Sequence, residues 1–212
     1  NRASVGSSPT GGTRQEVIAM STQHLFLQKD IHGPWSETAQ RIYFGMGCFW
    51  GAEKKFWPMP GVVNTAVGYM GGDVPEPNYP LVCTGATGHA ETVLVVYEPN
   101  EVSLYDLLKV FWENHDPTQG NRQGNDVGSQ YRSAVYWTSQ EQETLVRATK
   151  TAYENVLLAS GLDPITTELS SADGKVFWYA EDYHQQYLIK NPNGYDCHAN
   201  TGYALPDYET VV

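Results

Sequence analysis

The sequence predicts a single α+β domain in which helices flank a mixed β-sheet. Two observations carry that prediction. From Arg41 onward, short β-branched and aromatic runs alternate with segments of helical spacing. The chain of 212 residues is also 41% hydrophobic, enough for one substantial core. Ahead of this alternation, residues 1–40 are rich in Ser, Thr and Gly without a sustained period and are expected to form a flexible amino-terminal arm. The domain then spans 41–192, and 193–212 reads as an irregular tail.

Within the domain the elements follow in order. Arg41-Ile-Tyr-Phe-Gly45 reads as a strand, and Cys48 to Trp57 has helical spacing in Phe49, Ala52, Glu53 and Phe56. Val62 to Tyr69 is a strand after the turn Pro58-Met-Pro-Gly61. A long Gly/Pro-rich loop, 71–90, precedes the buried strand Glu91 to Tyr97. Ser103, with Asp106 three residues on, starts a helix whose apolar face is Leu104, Leu107, Leu108 and Phe111, and which ends near Asn114. A second loop, 116–130, leads to strand Ser133 to Trp137; Ser139 then caps a helix that stops at Gly161. Ile165 to Leu169 and Val176 to Tyr179 are short strands, and Glu181 to Lys190 is the last helix. The arrangement expected is a mixed sheet around a ferredoxin-like core. Both long loops exceed the usual connection length, which points to function.

Composition excludes several classes of partner. Lys and Arg number 13 against 24 Asp and Glu, and the net charge of -11 opposes nucleic acid and anionic membranes. No run approaches the roughly 18 apolar residues of a membrane helix, and no charged-then-apolar leader is visible, so a soluble chain is expected. Cys48, Cys83 and Cys197 are too few, and odd in number, for a disulfide scaffold. One or two working thiols in a reducing compartment fit better, the cytoplasm by default and an organelle as the alternative. No oligomer signal stands out, and a monomer is expected.

The stretch GMGCFWGAEKKFW, residues 45–57, places Cys48 on a strand-to-helix turn between glycines and two large aromatics. Backbone N–H groups and the positive helix end there favour the thiolate, which is the nucleophilic form. Gly45, Gly47 and Gly51 would let the backbone turn sharply and approach a ligand.

Five stretches in order, GCFWG at 47–51, TGHAE at 87–91, FWENHDPTQ at 111–119, GNDVGSQYRSA at 124–134 and YAEDYHQQYL at 179–188, together resemble the peptide methionine sulfoxide reductase A family over about residues 41–197. The resemblance implies reduction of the S epimer of methionine sulfoxide, free or in proteins, on a mixed-sheet α+β fold. It makes Cys48 the nucleophile and Glu91 the proton donor. Phe49 and Trp50 become the apolar pocket for the substrate methyl group, and Tyr79, Asp126 and Tyr131 the groups that hold the sulfoxide oxygen and orient the site. It further implies a Cys48 sulfenic acid, a disulfide with a second thiol, and reduction of that disulfide by thioredoxin.

The chemistry agrees with that assignment. Thiolate attack on the sulfoxide sulfur moves electrons onto oxygen, which must be protonated to leave. A carboxyl among apolar and aromatic side chains has a raised pKa and can supply the proton near neutrality. Cys197 is the expected resolving thiol, although many relatives carry the cysteine directly after the Gly-Tyr pair, where this chain has Asp196, and a further one downstream. Val127 replaces a histidine frequent in relatives. Cys83 is taken as structural, with a minor resolving role as the alternative. Other readings of the residues stay open: a cysteine hydrolase or acyltransferase with His89 as base, or a non-catalytic module that captures methionine sulfoxide. His89, His115 and Asp116 lack the spacing of metal ligands, so neither metal nor other cofactor is expected. The terminal Glu209-Thr-Val-Val212 has the form of a peptide for a carboxylate-capturing domain, but a match of four residues is mostly chance.

Overall fold

The computed structural model describes residues 22–197 and 199–212. Its centre is a six-stranded mixed sheet. In chain order the elements are β1 (Gln40–Met46), α1 (Phe49–Phe56), β2 (Val62–Met70), α2 (Tyr79–Cys83), β3 (Ala90–Tyr97), α3 (Leu104–Glu113), β4 (Arg122–Gln123) and β5 (Asp126–Val127). They continue with β6 (Ser133–Trp137), α4 (Gln140–Ala159), β7 (Glu168–Ser171), β8 (Trp178–Tyr179), α5 (Tyr187–Lys190) and α6 (Tyr208–Val211).

The sheet order is β7-β6-β1-β3-β2-β8. β6, β1, β3, β2 and β8 pair antiparallel, and β7 joins β6 in parallel, which makes the sheet mixed. The inner four strands with α1 and α3 follow the β-α-β-β-α-β order of a ferredoxin-like core.

Period-two alternation assigns each face. Ile42, Phe44, Val93, Val95 and Val135 join Phe49, Phe56, Leu107, Phe111 and Val146 of the helices in the larger core. Tyr43, Leu94, Val96, Ala134 and Tyr136 point the other way, onto Ile31, Trp35 and Phe177. Phe44 sits between the rings of Phe56 and Phe111, with centroids 5.1 and 5.0 Å away. Truncating such a ring to alanine costs about 3–5 kcal/mol.

The capping residues act as their sequence suggests. Ser103 Oγ accepts the Asp106 N–H at 3.1 Å, and Ser139 Oγ accepts that of Gln142 at 3.2 Å.

Several elements differ from the sequence expectation. Loop 71–90 contains α2, begun by Asn78, whose Oδ1 accepts the Leu81 N–H. Loop 116–130 holds the small hairpin β4-β5 and a 3-10 turn at Ser129–Tyr131. The short strands fall at Glu168–Ser171 and Trp178–Tyr179, the residues that pair with β6 and β2. The helix expected over Glu181 to Lys190 is broken in two, a 3-10 turn at Asp182–His184 and α5, because Gln186 between them is left-handed at φ 47°. The tail is not wholly irregular: it ends in α6, where Tyr208 meets Tyr105 edge-on and Leu205 is buried.

The arm expected over 1–40 is partly packed. Residues 1–21 lie outside the described residues, but His24 and Ile31 are buried, and His24 Nε2 lies 2.8 Å from Thr65 Oγ1 on β2. The boundary at residue 40 thus falls inside packed structure. Among the described residues, no helix is long and apolar enough to cross a membrane.

Candidate active site

Cys48 is the residue that caps α1, directly after β1. The turn needs Gly47, which is left-handed at φ 85° and so close to Gln123 that a Cβ would stand 2.6 Å from that side chain. Gly45 serves differently: it is a strand residue at which a Cβ would meet the Arg132 carbonyl oxygen at 3.0 Å, so β1 and β6 approach closely there. Gly51 lies within α1.

Cys48 is buried, and this reverses the expected thiol chemistry. The Trp50 N–H does favour the thiolate, as the helix start suggested, but burial and, after it, the nearby Glu91 carboxyl push the thiol pKa well up. The resting group is a thiol at neutral pH. A low dielectric around sulfur outweighs one turn of helix dipole.

Glu91, the second residue of β3, is 1% exposed. Its Oε2 accepts the Phe49 N–H at 3.0 Å, which keys the acid to the start of α1, one residue from the thiol. Burial raises its pKa to about 8; the Phe49 hydrogen bond opposes this and the Asp126 charge adds to it. The carboxyl is therefore protonated near neutrality.

The two phenols stand around this pair. Tyr79 opens α2 and Tyr131 ends the 3-10 turn; burial above all, with Glu91 among the further causes, keeps both protonated and able to donate. Asp126, on β5, accepts from the Tyr195 hydroxyl at 3.1 Å, and its other oxygen, Oδ2, is buried with no protein partner. Val127 beside it is 67% exposed, at the rim.

Phe49 and Trp50 form an aromatic wall with residues that the sequence reading did not single out. The Phe49 ring lies 5.8 Å from Tyr69 and 5.1 Å from His184. Trp50 donates its Nε1–H to His184 Nδ1 at 2.9 Å and stacks on Tyr187 at 3.7 Å. Burial pushes the His184 imidazole down to about 4, so the ring is neutral and carries its proton on Nε2. Glu181 fastens the opposite side, accepting from the Tyr69 hydroxyl and the Tyr79 N–H at 2.8 Å each. Glu181, His184 and Tyr187 lie in the YAEDYHQQYL stretch, whose apparent helical continuity hid the turn that brings His184 inward.

Cys197 reaches the same centre from the tail. Its Sγ lies 3.7 Å from the Gln123 carbonyl oxygen, and hydrogen bonds with Tyr195 and Asp126 perturb its pKa, which burial raises overall. Cys48 feels its charge as well. All three cysteines are free. Cys83, at the end of α2, is exposed and shares a hydrogen bond with the Tyr79 hydroxyl.

The histidines are committed elsewhere. His89 Nδ1 accepts the Gly72 N–H at 3.0 Å, and its Nε2 lies 2.8 Å from the Val74 carbonyl, so it braces loop 71–74 and is no base for Cys48. His115 bridges the Phe111 carbonyl and Ser133 Oγ at 2.7 Å each. Among the described residues, no cluster of His, Cys, Asp and Glu could hold a metal ion. A groove of about 460 Å³ lined by Tyr97, Leu104, Leu145, Tyr208 and Val212 shares no residue with this centre.

A thiol beside a buried acid, with His89 committed to loop 71–74, is the arrangement of a thiol oxidoreductase rather than of a cysteine hydrolase with His89 as base. Comparison with known proteins makes this specific. Residues 40–210 match the peptide methionine sulfoxide reductase family, and the chain belongs to that family. It is 53% identical over 193 residues to a peptide methionine sulfoxide reductase MsrA of Brucella anthropi, a match covering 91% of this chain and 88% of that protein. The structure resembles methionine sulfoxide reductase A of Corynebacterium diphtheriae with a TM-score of 0.78 at 46% identity, covering 88% of this chain and 90% of that one. It also resembles reduced Mxr1 of Saccharomyces cerevisiae, with a TM-score of 0.67 at 32% identity, covering 82% and 96%.

Proposed function

We propose that this protein reduces the S epimer of methionine sulfoxide, free or in proteins, with Cys48 as nucleophile and Glu91 as general acid. The observation that carries this reading is the Glu91 carboxyl, buried, protonated to about pH 8 and fastened to the Phe49 N–H next to the thiol. The Cys48 sulfur forms a bond to the substrate sulfur while the sulfur–oxygen bond breaks; the oxygen takes the Glu91 proton, and the thiol proton returns to Glu91. The oxygen leaves as hydroxide; a water then attacks the Cys48 sulfur, the bond to the substrate sulfur breaks with its electron pair returning to methionine, and the hydroxide takes the water's proton, so that thiol plus sulfoxide gives sulfenic acid plus sulfide. Tyr79 and Tyr131 donate to the departing oxygen, Asp126 orients the site, and Phe49 and Trp50 receive the methyl group.

Recycling uses the tail, residues 193–212. The Cys197 thiol condenses with the Cys48 sulfenic acid, releasing water, and a thioredoxin-type dithiol reduces the resulting disulfide. The position of Cys197 against Gln123, Tyr195 and Asp126 supports that role despite its one-residue displacement. Free thiols fit a reducing compartment, the cytoplasm by default; the reading is completed by a monomer acting in protein repair after oxidation.

The test is one equivalent of an S-methionine sulfoxide peptide mixed with reduced protein without reductant, followed by mass mapping. Methionine together with a Cys48–Cys197 disulfide is the expected result. A sulfenic acid alone would remove Cys197 from the cycle, and no methionine from folded protein would overturn the whole reading.

A further inference from the structure

We propose that Glu53 is a positioning residue: its buried side chain fixes the left-handed turn at Gln186, and that turn sets the His184 and Tyr187 clasp that holds Trp50 in the wall of the site. This rests on the reading of Trp50 as part of the substrate pocket. Glu53 lies on α1 one turn beyond Phe49 and is fully buried. A carboxyl in such a place needs a reason.

Its partners supply one. Glu53 Oε2 accepts the Gln186 backbone N–H at 2.9 Å, and Oε1 accepts from Gln186 Nε2 and Thr65 Oγ1 at 2.8 Å each. Thr65 in turn accepts a hydrogen bond from His24: the Phe26 and Leu27 N–H groups occupy His24 Nδ1, so the ring proton sits on Nε2, which donates to Thr65 Oγ1 at 2.8 Å. His24 Nε2 itself stands 3.9 Å from Glu53, and Lys190 on α5 adds a favourable charge. Burial pushes the Glu53 pKa up to about 7 and the hydrogen bonds oppose it, so the carboxylate is formed at pH 8.

Gln186 is the point on which this acts. A non-glycine residue at φ 47° and ψ 43° persists only when its surroundings hold it there. Two positions before it, His184 accepts the Trp50 indole N–H; one position after it, Tyr187 stacks on the Trp50 ring. Glu53 and Trp50 are three residues apart on one helix, so α1 both carries the indole and anchors the segment that clasps it. An amide at 53 cannot accept at both ends, and one end would face a donor of Gln186 or Thr65.

The experiment compares Glu53→Gln with the parent protein at pH 8, using first-turnover kinetics of the reduced form and the indole N–H resonance of Trp50, assigned by its loss in Trp50→Phe. The expected result is a shifted resonance and roughly tenfold weaker apparent binding of a methionine sulfoxide peptide, with the saturated rate changed less than about threefold. An unshifted resonance in folded protein overturns the proposal, as does a loss confined to the saturated rate. Should Glu53→Gln not fold, Gln186→Ala and Gln186→Gly decide the matter. Alanine tolerates the left-handed turn poorly and should shift the resonance more than glycine, and no shift in either overturns the clasp. The pocket reading of Trp50 is tested separately by the affinity of Trp50→Phe: an unchanged value overturns that reading, while the Trp50 resonance in Glu53→Gln decides the clasp by itself.

Discussion

The two halves of the proposed reaction cycle stand on different kinds of structure. Cys48 and Glu91 are both buried and belong to the junction of β1, α1 and β3, where each strand is hydrogen-bonded on both sides. Tyr195 and Cys197 belong to an irregular tail, the first exposed and the second half-buried. The difference follows from what each step requires. Proton transfer to a departing oxygen depends on sub-ångström placement and a low dielectric, which core strands supply. A resolving thiol must instead approach sulfur and afterwards present a disulfide to another protein, for which an accessible tail suits better.

Substitutions at the rigid half should have the largest effects. Cys48→Ser should abolish methionine formation, a fall of at least roughly 10⁴-fold in the first turnover, because a hydroxyl at this site is neither nucleophilic nor able to form a sulfenic acid. Glu91→Gln should slow the first turnover by about 10²- to 10⁴-fold. The wild-type rate should fall above pH about 8, where the acid loses its proton, and Glu91→Gln should lose that limb of the profile. Stability gives an independent check on the same group. A carboxyl raised from 4.5 to about 8 by folding contributes stability fully present below the lower value and lost as pH rises through the upper one. Urea unfolding of Glu91→Gln against wild type should therefore show an advantage for the variant that widens between pH 5 and 8, at up to about 1.4 kcal/mol per pH unit. A constant difference would mean that Glu91 is ionised in the folded protein.

The tail should respond in the opposite pattern. Cys197→Ser should leave the first turnover within about twofold of wild type, since no bond to substrate is lost, but stop thioredoxin-supported turnover after one equivalent of methionine. Continued multiple turnover would move the resolving role to Cys83 or to direct reduction of the sulfenic acid, and the contrast between the halves would no longer describe the cycle.

The same division governs how much was legible in sequence. Strands β1, β2, β3 and β6 and helices α1, α3 and α4 were readable because period and capping residues agree with the final packing, as at Ser103 and Ser139. Cys48, Glu91, Phe49 and Trp50 lie on those elements, so their neighbourhood followed from the motif. His184, Tyr187 and Glu181 did not, because their position depends on a left-handed Gln186 that no local propensity announces and that tertiary hydrogen bonds from Glu53 support. The raised thiol pKa is hidden from sequence for a related reason. A helix start can be read from sequence, but the depth at which Cys48 lies depends on the whole sheet.

The smallest effect expected concerns what holds the tail in place. Lys54 of α1 pairs with Asp196, next to Cys197, at 3.1 Å, but the lysine side chain is 50% exposed. Such pairs contribute about 0–1 kcal/mol because solvent screens them and ordering two side chains opposes the attraction. Tyr195 bonded to Asp126, Cys197 against the Gln123 carbonyl, and Thr201 2.6 Å from the Tyr153 hydroxyl all hold the same segment. Lys54→Ala should thus slow Cys48–Cys197 disulfide formation by less than about fivefold, measured by quenched thiol mapping after one turnover, with the effect vanishing in 1 M salt. A much larger, salt-sensitive loss would show that a single surface charge sets the approach of the resolving thiol. The tail would then be steered by electrostatics from α1, and the two halves of the site would be coupled through the helix that carries Phe49 and Trp50.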